Sequence, residues 1–223
     1  MTAVLAFDVY GTLIDTAGVV AQLRESVGDQ AERFSSVWRD KQLEYSFRRG
    51  LMQRYENFAV CTRDALEYTC ASMNAALSQQ QRNALLDAYS VLPAFDDVGP
   101  SLAGLRARGI ALYAFSNGTA KAVEALLDNA GIRGYFADVV SCDEIETFKP
   151  NPAVYRHFLS RSGAEAASAW LVSGNPFDVI GAISAGMRGV WVKRSAAAIF
   201  DPWGIVPTTT VTDLREIDDH LAA

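Results

Sequence analysis

The chain has 223 residues, of which 50% are hydrophobic and 21% charged, so it can bury a sizeable core without metals or disulfides. Its formal net charge is −6 and no stretch is rich in lysine and arginine, which argues against a nucleic-acid partner. Cys61, Cys70 and Cys142 form no CxxC pair, and His157 and His220 stand alone, so the sequence predicts neither a disulfide framework nor a metal site.

The first predicted element is a buried parallel strand at residues 3–7, followed at once by Asp8 and then Gly11. The N-terminal segment has no basic region, and its apolar run is too short for a signal peptide or a membrane span. We therefore expect a cytoplasmic protein without a membrane partner.

Residues 15–92 show helical periodicity, few glycines and no convincing strand. Aromatic and leucine residues recur there at spacings that suit three or four packed amphipathic helices. Pro93 and Pro100 mark the return to a different pattern. We predict a helical cap over residues 15–92, inserted into a core formed by residues 1–14 and 93–223.

From residue 93 onward, short apolar strands alternate with stretches compatible with helix. The further predicted strands span residues 110–115, 138–141, 169–172 and 190–193. This alternation is typical of an α/β fold with a Rossmann-like, doubly wound parallel sheet. Residues 201–212 are rich in proline and threonine, and we expect a surface loop there before a final helix.

Polar groups follow the ends of several predicted strands, where ligands collect in sheets of this kind. Asp8 lies in the segment FDVYGTL, residues 7–13, and can serve as a nucleophile, or it can be an ordinary turn aspartate. Ser116 can cap a helix, Lys149 can be a solvated loop lysine, and Asp178 can be a first-turn acid. Their convergence on one sheet edge favours a catalytic interpretation.

The order DxxxT, SN, KP and then an acidic loop resembles the haloacid dehalogenase superfamily. In detail the chain resembles the type II L-2-haloacid dehalogenases over essentially its whole length. The segment WRDKQLEYSFRRGLMQRY, residues 38–55, is similar to their WRxKQLEY signature, which the phosphatases of the superfamily do not share. The resemblance implies hydrolytic removal of halide from small L-2-haloacids, with inversion at C2 and without a cofactor.

The resemblance also implies residue roles. Asp8 attacks C2 of the haloacid and forms an ester, while Asp178 activates the water that cleaves it. Arg39 and Asn117 stabilise the departing halide, and Ser116 holds the substrate carboxylate. Lys149 offsets the repulsion between Asp8 and the anionic substrate. The supporting groups are Thr12, Ser173, Asn175 and Tyr155. Tyr155 is also counted with the remaining substrate-binding positions, which are Tyr10, Leu43, Phe58 and Phe177.

Several alternatives stay open. Tyr10 stands where superfamily phosphatases carry a second aspartate, which argues against phosphatase activity without excluding it, and a non-catalytic binding relative is a third possibility. Leu43 can be ordinary core packing. Phe177 replaces a common tryptophan, Gly174 a frequent serine and Asp40 a usual glutamine, and Asp40 could pair with Arg39. The resemblance suggests a homodimer formed through cap helices.

Overall fold

The computed structural model describes residues 3–221, and its centre is a sheet of six strands. Their bounds are β1 Val4–Asp8, β2 Ala111–Ser116, β3 Asp138–Ser141, β4 Ala169–Ser173, β5 Arg188–Val192 and β6 Thr209–Val211. The spatial order is β3-β2-β1-β4-β5-β6, and all neighbouring pairs are parallel. The chain therefore winds outward in both directions from the central β1.

Side chains of successive strand residues enter two different cores, as a strand period of two requires. Leu5 and Phe7 belong to one hydrophobic cluster, whereas Ala6 belongs to the other. In β4, Trp170 lies in the first cluster and Leu171 in the second. Both faces of the sheet are thus covered, which is the doubly wound α/β architecture that the alternation predicts.

Helices cover the sheet and build the cap. In the cap they are α1 Val20–Val27, α2 Ala31–Leu51, α3 Phe58–Ser72 and α4 Gln79–Tyr89. Around the sheet they are α5 Val98–Ala107, α6 Ala120–Asn129, α7 Pro152–Ser162, α8 Pro176–Ser184 and α9 Ile217–His220. Helices α2 and α3 pack extensively on each other. None of the helices between residues 3 and 221 combines the length and the apolarity that crossing a bilayer requires.

The two chain segments that join cap and sheet run side by side. Ile14 forms an antiparallel bridge with Ala94, and the Phe95 amide donates to the Leu13 carbonyl. The predicted boundaries after residues 14 and 92 therefore fall where the chain leaves the core and where it returns, and these two segments are hydrogen-bonded to each other. The boundaries themselves stay a prediction.

The surface loop expected at residues 201–212 ends earlier than predicted, because residues 209–211 form β6. This strand pairs with β5 through Val190 and Thr209, and its Val211 side chain is fully packed. A three-residue edge strand is specified mainly by its neighbour, so the local composition gave little sign of it.

Candidate active site

Asp8 is the last residue of β1, between the ends of β2 and β4. Its strand partner at that level in β2 is Phe115, which precedes Ser116. Ser173 ends β4 on the other side. Because the strands are parallel, their carboxyl ends meet at one sheet edge and carry these polar side chains together. Asp8 is only 7% exposed there.

The Oδ2 atom of Asp8 accepts three hydrogen bonds. The Thr12 hydroxyl donates at 2.8 Å, the Asn175 side-chain amide at 2.7 Å and the Ser173 hydroxyl at 3.3 Å. Three donors on one oxygen stabilise the carboxylate as an anion and fix the plane of the carboxyl group. The structure thus gathers three of the predicted supporting groups on one atom.

Backbone amides orient the two hydroxyl groups toward Asp8. The Gly174 N–H donates to Thr12 Oγ1 at 2.8 Å, and the Asn175 N–H donates to Ser173 Oγ at 3.1 Å. Since each hydroxyl already accepts from an amide, its own proton is free to point at the carboxylate. The loop between β4 and α8 therefore presets the donors that hold Asp8.

Gly174 allows that loop to approach the loop after β1. A Cβ atom at this position would lie 2.4 Å from the Gly11 carbonyl oxygen, a contact that a side chain cannot make without a backbone shift. The departure from serine noted in the sequence therefore goes together with close packing of the two loops. This packing brings the Gly174 amide within reach of Thr12.

The Lys149 ammonium group lies between the two carboxylates of the site. It donates to Asp8 Oδ1 at 3.1 Å, to Asp178 Oδ2 at 2.8 Å and to the Phe115 carbonyl at 2.8 Å, so all three of its protons have acceptors. Lys149 is 1% exposed. Burial alone would lower the pKa of Lys149, but Asp178 and Asp8 outweigh it and raise that pKa above its ordinary value. Lys149 is therefore a permanent cation beside Asp8.

Asp178, in the first turn of α8, is fully buried. Burial raises its pKa from 3.8 to about 6, while the neighbouring Lys149 opposes this and Asp8 adds to it. The Tyr155 hydroxyl lies 2.9 Å from Asp178 Oδ1 and 3.1 Å from the Asp178 carbonyl. A buried carboxylate with a raised pKa, linked through a lysine to a second carboxylate, has the properties of a general base.

Tyr155 was expected both as a supporting group and as a substrate-binding residue, and its position favours the supporting role. Its side chain is completely buried between α7 and α8, with its hydroxyl directed at Asp178. Gly181 makes the space, because a Cβ atom there would lie 2.2 Å from the Tyr155 hydroxyl. Burial, followed by the charge of Asp178, raises the pKa of Tyr155, so it remains a neutral donor. Its position supports Asp178 rather than a substrate.

Ser116 and Asn117 line the loop that follows β2. The Asn117 side-chain oxygen accepts from the Lys149 backbone amide at 2.9 Å, which anchors the lysine segment to this loop. The Ser116 hydroxyl accepts from the Gly118 N–H at 3.1 Å. Both side chains are buried beside the Asp8 strand. The oxygen of Asn117 is thus occupied, so its amide protons are the groups it can offer to an anion.

Arg39 reaches the site from α2 of the cap. Its guanidinium donates to the Tyr10 carbonyl at 3.2 Å and to Gln42 Oε1 at 2.7 Å. Asn175 donates to the same Tyr10 carbonyl at 3.1 Å, so one peptide oxygen joins the cap arginine to the Asp8 cluster. The possible pairing of Asp40 with Arg39 is not formed: Asp40 is exposed, and within residues 3–221 Arg39 bonds to Gln42 and to the Tyr10 carbonyl instead. Adjacent helix residues do not face each other.

A cavity of about 450 Å³ opens between cap and core next to these groups. Its apolar lining includes Tyr10, Phe58, Leu86, Tyr89, Gly118 and Ala122. The Tyr10 and Phe58 rings pack at 5.9 Å between centroids. Burial raises the pKa of Tyr10 to about 12, so this side chain stays neutral. The cavity therefore offers an apolar wall to a small organic molecule.

Leu43 and Phe177, predicted for the same apolar wall, lie outside the lining of this cavity. Both are half-buried, and Phe177 packs edge-on against Phe47 of α2 at 5.0 Å between ring centroids. Phe177 thus bridges α8 of the core to the cap. Phe177 therefore remains a predicted substrate-binding residue, but it contacts the cap and does not line this cavity.

The two oxygens of Asp8 are chemically unequal. Oδ2 is held by three donors, whereas the only partner of Oδ1 in the described part of the chain is Lys149. Oδ1 is therefore the more available nucleophile. If Oδ1 forms an ester, Oδ2 becomes its carbonyl oxygen, already surrounded by the donors that a tetrahedral intermediate needs.

Two contributors to this arrangement escaped the sequence interpretation. Gly181 creates the space for Tyr155, and Gln42 contacts Arg39 from three positions further along α2. The spacing of Gln42 from Arg39 was the available signal, since side chains three residues apart in a helix are neighbours. For Gly181 the sequence offered no comparable sign.

Comparisons with known proteins point to one family. The family model for haloacid dehalogenase-like hydrolases matches residues 2–186. An (S)-2-haloacid dehalogenase of Pseudomonas sp. (strain YL) is 37% identical over 213 residues, covering 96% of this chain and 91% of the relative. Haloacetate dehalogenase H-2 of Moraxella sp. (strain B) is 36% identical, covering 98% and 97%.

Among solved structures, the L-2-haloacid dehalogenase of Xanthobacter autotrophicus with covalently bound chloropropionic acid superposes with a TM-score of 0.90. It is 29% identical, and the match covers 100% of this chain and 99% of the other. The family match over most of the chain, together with relatives above 30% identity along nearly its whole length, leads to one conclusion. The chain belongs to the haloacid dehalogenase-like hydrolases.

Proposed function

We propose that this hydrolase removes halide from small L-2-haloalkanoic acids and yields 2-hydroxy acids with inversion at C2. The observation that carries the proposal is the unequal Asp8 carboxylate, with Oδ1 beside the Lys149 ammonium and Oδ2 held by three donors. Oδ1 attacks C2 from the side opposite the halide, the carbon–halogen bond breaks, and the halide leaves with the bonding electrons. A carboxylate ester of Asp8 results.

Ester hydrolysis completes the cycle. Asp178 accepts a proton from water as the water oxygen bonds to the Asp8 carboxyl carbon, and the three donors on Oδ2 stabilise the resulting oxyanion. Collapse of the intermediate releases the 2-hydroxy acid, whose new oxygen is the former Oδ1. Asp178 returns its proton to the departing alkoxide oxygen, and the proton left on the Asp8 carboxyl group passes to solvent.

In the first step the Asp8 carboxylate attacks a substrate that is itself an anion. Two cationic side chains and one amide lower the free-energy cost of this repulsion. Two unit charges 4 Å apart repel by about 1 kcal/mol in water and by about 4 kcal/mol at the effective dielectric near a protein surface. Lys149 offsets the charge of Asp8, while Ser116 takes the substrate carboxylate. Arg39 and the Asn117 amide receive the halide, and the cavity beside Tyr10 takes the alkyl group.

Phosphoryl transfer on the same scaffold fits the site less well. Superfamily phosphatases carry an acid where Tyr10 stands, and Tyr10 remains a neutral apolar neighbour of Phe58. A divalent cation between Asp8 and Asp178 would meet the Lys149 ammonium, which already bonds to both carboxylates. The donor set therefore favours a carbon electrophile without a metal.

Parallel assays of halide and phosphate release, each with and without EDTA, test the proposal. We expect halide from L-2-chloropropionate or chloroacetate at a rate that EDTA leaves unchanged. Phosphate release that EDTA abolishes would instead indicate the phosphatase. Inertness toward a broad panel of haloacids would indicate a non-catalytic relative.

The pH dependence of turnover should report Asp178. Its raised pKa means that the base is protonated below about pH 6, so turnover should fall about tenfold per unit below that value and level off above it. The Tyr155 hydrogen bond lowers the pKa of Asp178. Tyr155→Phe should therefore move the acid limb of the kcat profile to higher pH. A limb that stays in place in this variant would contradict the coupling.

We further propose a homodimer and a cytoplasmic location. Leu51 and Met52, at the end of α2 in the cap, are 87% and 62% exposed, which is the kind of apolar surface that a second copy can cover. The three cysteines are free and buried, as suits a reducing compartment. Sedimentation equilibrium of the full chain measures the oligomeric state directly.

A further inference from the structure

Two buried polar side chains in the cap have no role in the chemistry described so far. Gln42 on α2 is 0% exposed, and Thr62 on α3 is 7% exposed. An amide and a hydroxyl group buried in this way destabilise a fold unless their hydrogen bonds are satisfied. The hydrogen bonds of both side chains belong to one continuous network, and this network ends at Arg39.

The contacts form a line from α3 to the arginine. The Thr62 hydroxyl donates to the Phe58 carbonyl at 2.8 Å, and the Gln42 amide nitrogen donates to Thr62 Oγ1 at 2.5 Å. Gln42 Oε1 then accepts from the Arg39 guanidinium at 2.7 Å. Trp38, through its indole N–H, also donates to the Thr62 carbonyl at 2.8 Å and ties α2 to α3 at the same level.

The donor and acceptor roles in these hydrogen bonds follow from what each group can donate or accept. The Phe58 carbonyl can only accept, so it takes the single proton of the Thr62 hydroxyl. Thr62 can then only accept from Gln42, which requires the NH₂ end of the amide to face it. The oxygen end of Gln42 must therefore face Arg39. Thr62 thus determines which end of Gln42 the arginine meets.

Both acceptors of Arg39, Gln42 Oε1 and the Tyr10 carbonyl, are uncharged. They hold two guanidinium nitrogens in place, and no carboxylate between residues 3 and 221 pairs with the positive charge of the group. A charge that is fixed but not neutralised is what a departing halide requires, because preorganised groups need no reorganisation as the charge develops. An acidic residue at position 42 would cancel the charge, and it would also leave Thr62 Oγ1 without the amide donor.

We propose that Gln42 and Thr62 are positioning residues that act through Arg39 on the carbon–halogen cleavage step. This inference rests on the proposed dehalogenase function. Both side chains also line the cavity of about 450 Å³, but their effect runs through Arg39 and they take no part in ester hydrolysis. Their loss should therefore slow ester formation selectively, since misplacing a catalytic group by about 1 Å can cost on the order of 10²-fold in rate.

The test compares Thr62→Val with a matched control on the same helix. Thr69 is also buried and also donates from its hydroxyl to a carbonyl four residues earlier, that of Ala65, at 2.8 Å. Thr69→Val therefore removes the same type of bond without touching Gln42. Thr62→Val should be the less stable of the two variants, because it also leaves the buried Gln42 amide without its acceptor. Rates are therefore compared well below the Tm of both variants, where stability cannot account for a difference in rate.

Single-turnover kinetics separate the two steps, with halide release reporting ester formation and 2-hydroxy acid formation reporting hydrolysis. In Thr62→Val we expect halide release to slow about tenfold while ester decay keeps its wild-type rate. Thr62→Ser should restore halide release, and Thr69→Val should leave both rates unchanged. Equal slowing of both steps in Thr62→Val, or none, would overturn the proposal.

A second variant covers the case in which Thr62→Val does not fold. Gln42→Glu preserves the shape of the side chain and places a carboxylate on Arg39, so halide release should fall about 10²-fold. If the wild-type enzyme releases halide and Gln42→Glu releases it at the same rate, the positioning role is wrong while the proposed function stands. A wild-type enzyme that releases no halide from any haloacid would instead remove the proposed function.

Discussion

Asp8→Ala should reduce halide release by about 10⁴-fold or more, because removing a covalent nucleophile eliminates the step that all later chemistry needs. The rest of the site should persist. Lys149 keeps its bonds to Asp178 and to the Phe115 carbonyl, so the buried ammonium retains a charged partner. Steady-state halide assays with L-2-chloropropionate measure the loss. Asp15→Ala, seven residues further along the same segment, removes only a bond to the Ala17 amide and should keep activity.

Isotope labelling distinguishes a nucleophilic Asp8 from one that merely activates water. In a single turnover in oxygen-18 water, the hydroxyl oxygen of the product should be unlabelled, because it comes from Asp8 Oδ1. The label should appear instead in the Asp8 carboxyl group. A labelled hydroxyl in the first product would mean direct attack by water, and covalent catalysis would have to be abandoned.

Much of this site could be predicted because parallel strands bring their carboxyl ends to one edge. Asp8, Ser116 and Ser173 each end a strand, and the apolar runs before them are recognisable from composition. Knowing that the strands are neighbours is then enough to place these side chains together. Lys149 joins them from the segment between β3 and α7, and Asp178 joins them from the first turn of α8, after β4.

The contribution of the cap could not be predicted in the same way. Which residues of α2 face the core depends on how that helix is set over the sheet, and nothing local determines this. Asp40 was a candidate partner of Arg39, yet it points to solvent, while Gln42 is the residue that meets the arginine. Helical geometry favours the neighbour at three positions over the adjacent residue.

Tyr155 shows the same limit within the core. A tyrosine near the site can face the ligand or the protein interior, and the choice here depends on Gly181, which lies on a different helix. Such tertiary contacts between distant residues are absent from any local pattern. The same reason explains β6, whose three residues are strand only because β5 lies beside them.

Asp178→Asn should separate the two halves of the reaction. The amide keeps the size of the carboxylate but has no basicity, so ester formation should proceed while hydrolysis slows by about 10²- to 10⁴-fold, the usual contribution of a general base. We expect a burst of one halide per active site, followed by very slow turnover. Intact-protein mass spectrometry should detect the accumulated ester on Asp8.

The hydrogen-bond network is able to accept this substitution, which makes the experiment informative. The asparagine oxygen can face Lys149, and its NH₂ group can face the Tyr155 hydroxyl, which then accepts while it still donates to the backbone carbonyl of residue 178. Asp143→Asn is a suitable control, because Asp143 also accepts from a tyrosine hydroxyl, that of Tyr55, and should leave turnover intact. If Asp178→Asn releases no halide even in the first turnover, then Asp178 is required for the attack on carbon and its assignment as the hydrolytic base is wrong.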